Sequence, residues 1–246
     1  KYNVKAIVNI TSDKAYENKE WIWGYREDDP MGGYDPYSSS KGCADLLANS
    51  YRNSFFNLKN YKKTHNTLLA TCRAGNVIGG GDWAQDRLIT DIMVSVSQNK
   101  KVSIRNPYAT RPWEHVLEPL SGYLHIGQKL LEEKKDFAEA WNFGPSDEGS
   151  ITVEEVVNNV KKHWNKIDYE INRDPNQLHE ANLLKLDCSK AHILLNWKDV
   201  WDSDTTFEKT VKWYKSYYEE NKKVLTQYDL ESYIHDAKNK NVEWAV

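Results

Sequence analysis

The sequence is short of several features that would each have fixed a class of protein. Only 3 of its 246 residues are cysteine, Cys43, Cys72 and Cys188. They form no CxxC pair and leave an odd count, which argues against a disulfide framework and for reduced, structural thiols. No run approaches ~18 apolar residues and no signal peptide opens the chain, so the expectation is a soluble, cytoplasmic protein that meets no membrane. Its 7 histidines include no HExxH and no cluster with cysteines or carboxylates, so no metal site is expected. With Lys and Arg at 33 against Asp and Glu at 36, there is no basic stripe. Nucleic acid is therefore not expected as a partner, and any acidic phosphate would be met locally by a few arginines. There is no internal repeat. There is also no G-x-G-x-x-G or G-x-x-G-x-x-G turn, and the glycine-rich stretch from Gly75 to Gly81 has the wrong spacing for one.

What is present is a folded α/β chain, long enough for one large domain or two small ones. Apolar runs from Lys5 to Ile10 and from Thr67 to Cys72 read as buried strands, with a helix from Tyr37 to about Asn57 between them. Further on, the pattern predicts a helix from Asp86 to Gln98, a short strand from Lys101 to Ile104 and a proline-containing loop up to Trp113. A helix from Val116 to Glu133 and a strand from Ala138 to Phe143 follow. Thr152 and Glu155 form a capping box that opens another helix. Asp187 or Ser189 could cap a short helix ending near Trp197, and Phe207, Val211, Tyr214 and Tyr218 mark an amphipathic one. Glu231 to Lys240 is polar and reads as peripheral. Most of the 10 tryptophans and 15 tyrosines are expected in packing, with some left to stack on a base.

Two short motifs carry chemistry. Thr11-Ser12-Asp13-Lys14 stands at the mouth of the first strand, and Tyr37-Ser38-Ser39-Ser40-Lys41 opens the first helix. Residues four apart share a helix face, so the Tyr37 phenol and the Lys41 amine are expected side by side. The Tyr-x-x-x-Lys spacing says little by itself, because Tyr218 and Lys222 repeat it in a polar run that reads as solvated surface. Context separates the two: apolar residues at Ala44, Leu47, Ala48, Tyr51 and Phe55 make the first match an amphipathic helix following a strand with a hydroxyl, a carboxylate and an amine at its end. That set suits redox chemistry on a sugar.

These stretches, with Trp23-Gly24-Tyr25-Arg26-Glu27, the run from Asp29 to Lys41, Arg73 to Trp83, Arg111 to Leu120 and Trp141 to Pro145, resemble the extended short-chain dehydrogenase/reductase family of NAD-dependent epimerases and dehydratases, and within it the nucleotide-sugar 4,6-dehydratases. The resemblance implies the rear part of a Rossmann-type doubly wound parallel sheet with a smaller α/β substrate-binding domain. Residues 1–76 and 114–145 would complete the NAD-binding domain, and 77–113 with 146–246 would bind the nucleotide sugar. Family members begin with a glycine-rich turn and strands that this sequence does not contain, so Lys1 reads as an incomplete start. The 246 residues by themselves are expected to bind a sugar nucleotide without turning it over.

The resemblance further implies that NAD accepts hydride from C4 of a CDP-hexose such as CDP-glucose, that water leaves across C5 and C6, and that the hydride returns to C6. Tyr37 would take the proton of the 4-hydroxyl, Lys41 would supply positive charge to it and hold the nicotinamide ribose, and Ser12 would hydrogen-bond the C4 oxygen. Asp13 would protonate the departing 6-hydroxyl, and Lys14, where many such dehydratases carry Glu, would take the C5 proton. Ala74 and Asn76 would lie at the cofactor. Asn76, Arg87 and Arg111 would contact the diphosphate, with His115, His179 and Glu180 as further substrate contacts set against ordinary capping or packing roles. Trp83 and Trp113 could line the nucleotide pocket or simply pack. A homodimer through the Tyr37 helix is implied as well. Three alternatives stay open: a 4-epimerase, which shares Ser12, Tyr37 and Lys41 but needs no Asp13–Lys14 pair; a dehydratase taking GDP-mannose; and a non-catalytic sugar-nucleotide-binding fragment.

Overall fold

Three β-branched residues in five make Ala6–Ile10 (β1) a strand. It pairs in parallel with Leu68–Ala74 (β2), from Ala6 opposite Leu68 to Ile10 opposite Cys72. A third strand, Ala140–Phe143 (β6), adds in parallel on the other side of β2. As the middle strand, β2 is buried along its whole length, as a parallel strand covered on both faces should be. The computed structural model describes residues 2–145, 150–172 and 183–246, and their contacts divide into two units.

The first unit, Lys1–Gly75 with Glu118–Gly144 and Leu184–Lys198, contains this sheet. Helix Pro36–Asn53 (α1) connects β1 to β2; Pro36 suits its first turn, and the Asp35 carboxylate caps it by accepting from the Ser38 N–H at 3.0 Å. One face of the sheet packs on Leu117–Leu131 (α3) through Ile126 and Leu130, and on Ser189–Leu194 (α5) through Ala191, joined by Leu195 and Trp197 just beyond it. The sequence reading placed 184–198 with the substrate-binding domain. Its contacts put it here, because Leu184, Leu186 and Cys188 pack on Tyr16 and Tyr25 and the Tyr25 N–H donates to the Lys185 carbonyl at 2.9 Å.

The second unit, Asn76–Leu117 with Pro145–Leu183 and Asp199–Val246, holds two small sheets among its described residues. Asn76–Ile78 (β3) pairs in parallel with Thr110–His115 (β5), which pairs antiparallel with Ser150–Thr152 (β7). Val102–Ile104 (β4) pairs with Tyr169–Ile171 (β8). The expected loop up to Trp113 is therefore partly strand. Pro112 lies where β7 pairing gives way to β3 pairing, so its missing N–H interrupts no continuous ladder. Helices Leu88–Ser97 (α2), Val153–His163 (α4) and Ser203–Glu219 (α6) enclose a core that includes Ile92, Met93, Trp113, Val157, Phe207 and Tyr214. The capping box at Thr152 and Glu155 is formed. The stretch expected to be peripheral lies in Thr226–Asn239 (α7), where Tyr233 and Ala237, one turn apart, bury against Val200, Trp201 and Val242.

Candidate active site

At the end of β1 the chain turns into a single 3-10 turn, Asp13–Ala15, capped by Ser12, whose hydroxyl accepts from the Lys14 N–H at 3.2 Å. The same hydroxyl donates to Asp13 Oδ1 at 2.9 Å, and both side chains are buried. Lys14 is half-buried. This turn packs on the start of α1, where closeness is set by Gly42: a Cβ there would stand 3.0 Å from the Gly32 carbonyl oxygen and 3.3 Å from that of Ala15. Tyr37 is more than half exposed, and the Lys41 amine stands 5.6 Å above its ring. The structure thus brings Tyr37 and Lys41 together as the spacing predicts, with the Ser12–Lys14 turn against the same helix.

The buried face of α1 differs from the expected one. Ser38, Gly42, Asp45 and Ala48 face inward, while Leu47, Tyr51 and Phe55 are exposed and Ala44 is half-buried. The helix is anchored by charge rather than by its apolar stripe: Arg73 on β2 donates from Nε to Asp45 Oδ2 at 2.9 Å and from Nη2 to Oδ1 at 2.7 Å. Burial opposes the Arg73 charge, but the Asp45 bonds and the Tyr16 contact outweigh it and hold the guanidinium protonated. Arg73 Nη1 also donates to the Tyr16 hydroxyl at 2.5 Å, which in turn donates to Asn142 Oδ1 at 2.8 Å. The Asn142 N–H donates to Glu27 at 2.9 Å, and burial pushes the Glu27 carboxyl up. Sequence reading named none of Thr11, Tyr16, Glu27, Asp45, Arg73 or Asn142 as partners. The available signal was the concentration of charge and amide on elements otherwise destined for burial, since such groups are buried only when paired.

In the second unit, Asn76 opens β3 level with Trp113, two residues along β5 from Arg111. Arg111 is buried and donates from Nη1 to the Thr110 carbonyl at 2.8 Å. Arg87 precedes α2, exposed and paired with Asp82 at 3.3 Å. His115 is packed away: its ring meets Trp201 edge-on at 4.8 Å, Nδ1 accepts from the Leu117 N–H at 3.3 Å, and burial, helped by the Lys209 charge, lowers its pKa to about 3. It therefore has a capping and packing place. Trp113 is core, and Trp83 packs edge-on against Trp213 and Tyr214. Ala74 is buried at the end of β2. His179 and Glu180 lie outside the described residues. The second Tyr-x-x-x-Lys match fails as a pair, because α6 ends at Glu219 and Asn221 and Lys222 take left-handed backbone angles. Lys222 is exposed as expected, whereas Tyr218 is partly buried and its hydroxyl accepts from Trp83 Nε1 at 3.0 Å.

In the first unit, then, a parallel sheet delivers a Ser-Asp-Lys turn onto a helix carrying Tyr and Lys one turn apart. The model of the GDP-mannose 4,6 dehydratase family matches residues 2–212, and the chain belongs to that family. A CDP-glucose 4,6-dehydratase of Salmonella typhimurium is 56% identical over 215 residues, 87% of this chain and 60% of that protein. Among solved structures, a dTDP-glucose 4,6-dehydratase from Bacillus anthracis in complex with NAD superposes with a TM-score of 0.67 at 22% identity, covering 86% of this chain and 62% of the other. A UDP-glucuronic acid 4-epimerase from Bacillus cereus in complex with UDP-glucuronic acid and NAD gives 0.72 at 17% identity, covering 87% and 63%. These distant likenesses show the fold. The chain spans about 60% of the length of the curated dehydratase it matches.

Proposed function

We propose that the protein dehydrates CDP-glucose to CDP-4-keto-6-deoxyglucose with NAD as resident cofactor. The observation that carries this reading is the Ser12-Asp13-Lys14 turn packed on the helix that sets Lys41 over Tyr37; the 56% identity to a CDP-glucose 4,6-dehydratase supports the nucleotide and the sugar. The Tyr37 phenol and the Lys41 amine are open to a ligand, as a pair that holds a nicotinamide ribose must be. Bound NAD supplies the acceptor for the C4 hydride and its donor to C6. Tyr37, with Lys41 beside it, takes the 4-hydroxyl proton, and Ser12 hydrogen-bonds the C4 oxygen. Lys14 takes the C5 proton, and Asp13 gives its proton to the departing 6-hydroxyl so that it leaves as water. Arg111 and Asn76, with Arg87, hold the diphosphate. Ala74 and Asn76 lie at the cofactor.

The outward stripe of α1, in which Leu47 and Tyr51 are 60% and 43% exposed, supports a homodimer through that helix. No helix among the described residues is long and apolar enough to cross a membrane, and reduced Cys43, Cys72 and Cys188 suit a cytoplasmic enzyme. The test is a mass-spectrometric assay of the protein expressed from its whole reading frame, with NAD and, separately, CDP-glucose, dTDP-glucose and GDP-mannose. Loss of one water from CDP-glucose alone is the expected result. Water loss from another nucleotide sugar changes the substrate, an isomer of equal mass makes the protein an epimerase, and no change in any of them removes the catalytic reading.

A further inference from the structure

We propose that Asp45, acting through Thr11, is a positioning residue that holds the Ser12-Asp13-Lys14 turn in register with Tyr37 and Lys41. Thr11 is the hinge between strand and turn. Its N–H donates to the Cys72 carbonyl at 2.9 Å as the last rung of the sheet on this side. Its hydroxyl donates to Asp45 Oδ2 at 2.7 Å, and both side chains are buried. Asp45 stands one helical turn beyond Lys41, which stands one turn beyond Tyr37, so the three share one face of α1. One carboxylate therefore ties the turn to the same helix that carries the base pair, and Arg73 fixes that carboxylate in turn through two hydrogen bonds from β2.

The Thr11–Asp45 bond differs in kind from the other contacts of the turn. Asp13–Ala15 is held locally by the Lys14 N–H on the Ser12 hydroxyl and the Ala15 N–H on the Ser12 carbonyl at 3.1 Å, and at longer range by the Gly32 N–H, which donates to the Ala15 carbonyl at 2.9 Å from the loop that leads into α1. Gly42 leaves the turn room to approach α1 closely but exerts no pull on it. The Gly32 bond fixes the far end of the turn to the loop, whereas the Thr11–Asp45 bond ties the end of the strand to a side chain of the helix itself. A carboxylate that served only to neutralise Arg73 would have no use for Thr11, and this difference makes the idea testable.

Thr11→Val is nearly isosteric, leaves the Asp45–Arg73 pair in place and removes only the hydroxyl; Thr11→Ser keeps it. For dehydration by the protein expressed from its whole reading frame, a measurement that rests on the proposed function, Thr11→Val should lower kcat about tenfold to a hundredfold. KM should stay within about twofold, and Thr11→Ser should restore kcat to within about threefold. Hydrogen exchange gives a second readout independent of the reaction: the Lys14 and Ala15 amides should lose protection in Thr11→Val while those of α1 keep theirs. An unchanged kcat in Thr11→Val overturns the proposal. If the parent protein turns over no nucleotide sugar, the proposed function has failed and exchange alone decides, with unchanged protection at Lys14 and Ala15 overturning the positioning role.

Discussion

Arg73 and Asp45, 28 residues apart in sequence, meet in a two-pronged ion pair whose side chains are 4% and 3% exposed. Two buried charges stabilise a fold little when compared with well-packed apolar residues, yet breaking such a pair is costly because the remaining charge has no partner. Arg73→Leu should therefore destabilise the first unit by about 3 to 5 kcal/mol. Arg73→Lys keeps the charge but loses the fork and the bonds to Tyr16 and the Glu27 carbonyl, and should cost about 1 to 3 kcal/mol. Urea unfolding measures both. An Arg73→Lys protein as stable as the parent would show that the fork geometry contributes nothing, and equal losses for the two would show that the retained charge contributes nothing.

This pair also marks how far the sequence could be read. The β1–α1–β2 succession, the Tyr37–Lys41 contact and the Thr152 capping box were legible because each rests on local spacing: alternation, i to i+4, or a cap three residues away. The buried face of α1 was not. Of the apolar residues that marked it, Ala48 is buried and Ala44 half-buried but Leu47 and Tyr51 stand outward, and the rest of the inward face is Ser, Gly and Asp, so periodicity gave only part of that side. Only the long-range partners Arg73 and Thr11 explain why Asp45 is inside. The return of Leu184–Lys198 to the first unit was equally hidden, since its contact with Tyr25 spans more than 150 residues of chain. The second unit was under-read for a different reason: β3, β7 and β8 are three residues each, too short to show a period.

If Tyr37 and Lys14 serve separate steps, their variants should stop the reaction at different places. Tyr37→Phe should abolish oxidation at C4, so that no nicotinamide absorbance near 340 nm develops on adding CDP-glucose, about a 100-fold loss or more. Lys14→Ala should still allow hydride to leave C4 but prevent loss of water, so reduced cofactor should accumulate. Continued water loss in Lys14→Ala would remove it as the C5 base.

Arg111 is the strongest candidate for the diphosphate because a guanidinium matches two phosphate oxygens at once. Arg111→Ala should weaken CDP-glucose binding by about 2 to 4 kcal/mol, and Arg111→Lys by less. Titration calorimetry measures both, alongside an unfolding curve, because Arg111 is buried and its loss affects folding too. Unchanged affinity in a folded Arg111→Ala protein would take it out of the site.

Gly80 lies against the Trp213 ring so closely that a Cβ would stand 2.0 Å from its atoms. Gly80→Ala should therefore cost about 1 to 3 kcal/mol through overpacking. Because the strain comes from one neighbour, Gly80→Ala combined with Trp213→Leu should cost less than the two single changes added together. Strict additivity would place the strain elsewhere.

Asp229, in the first turn of α7, is buried enough to raise its carboxyl pKa from 3.8 to about 6, although the nearby Lys209 and Lys212 charges pull it back. Between those two values the folded chain holds a proton that the unfolded chain has released, so folding stability falls as pH rises through this window and levels off above it. A separation of about two units corresponds to a loss on the order of 2 to 3 kcal/mol. Asp229→Asn carries no such charge and should lack this part of the pH dependence. Compared with the parent, it should be of similar stability at pH 4 and more stable at pH 7, by denaturant unfolding at both. The difference between the two proteins isolates Asp229 from every other titrating group, including His115, whose burial makes the fold weaker in acid. Parallel stability curves for parent and variant would show that the Asp229 carboxylate remains solvated in the folded protein.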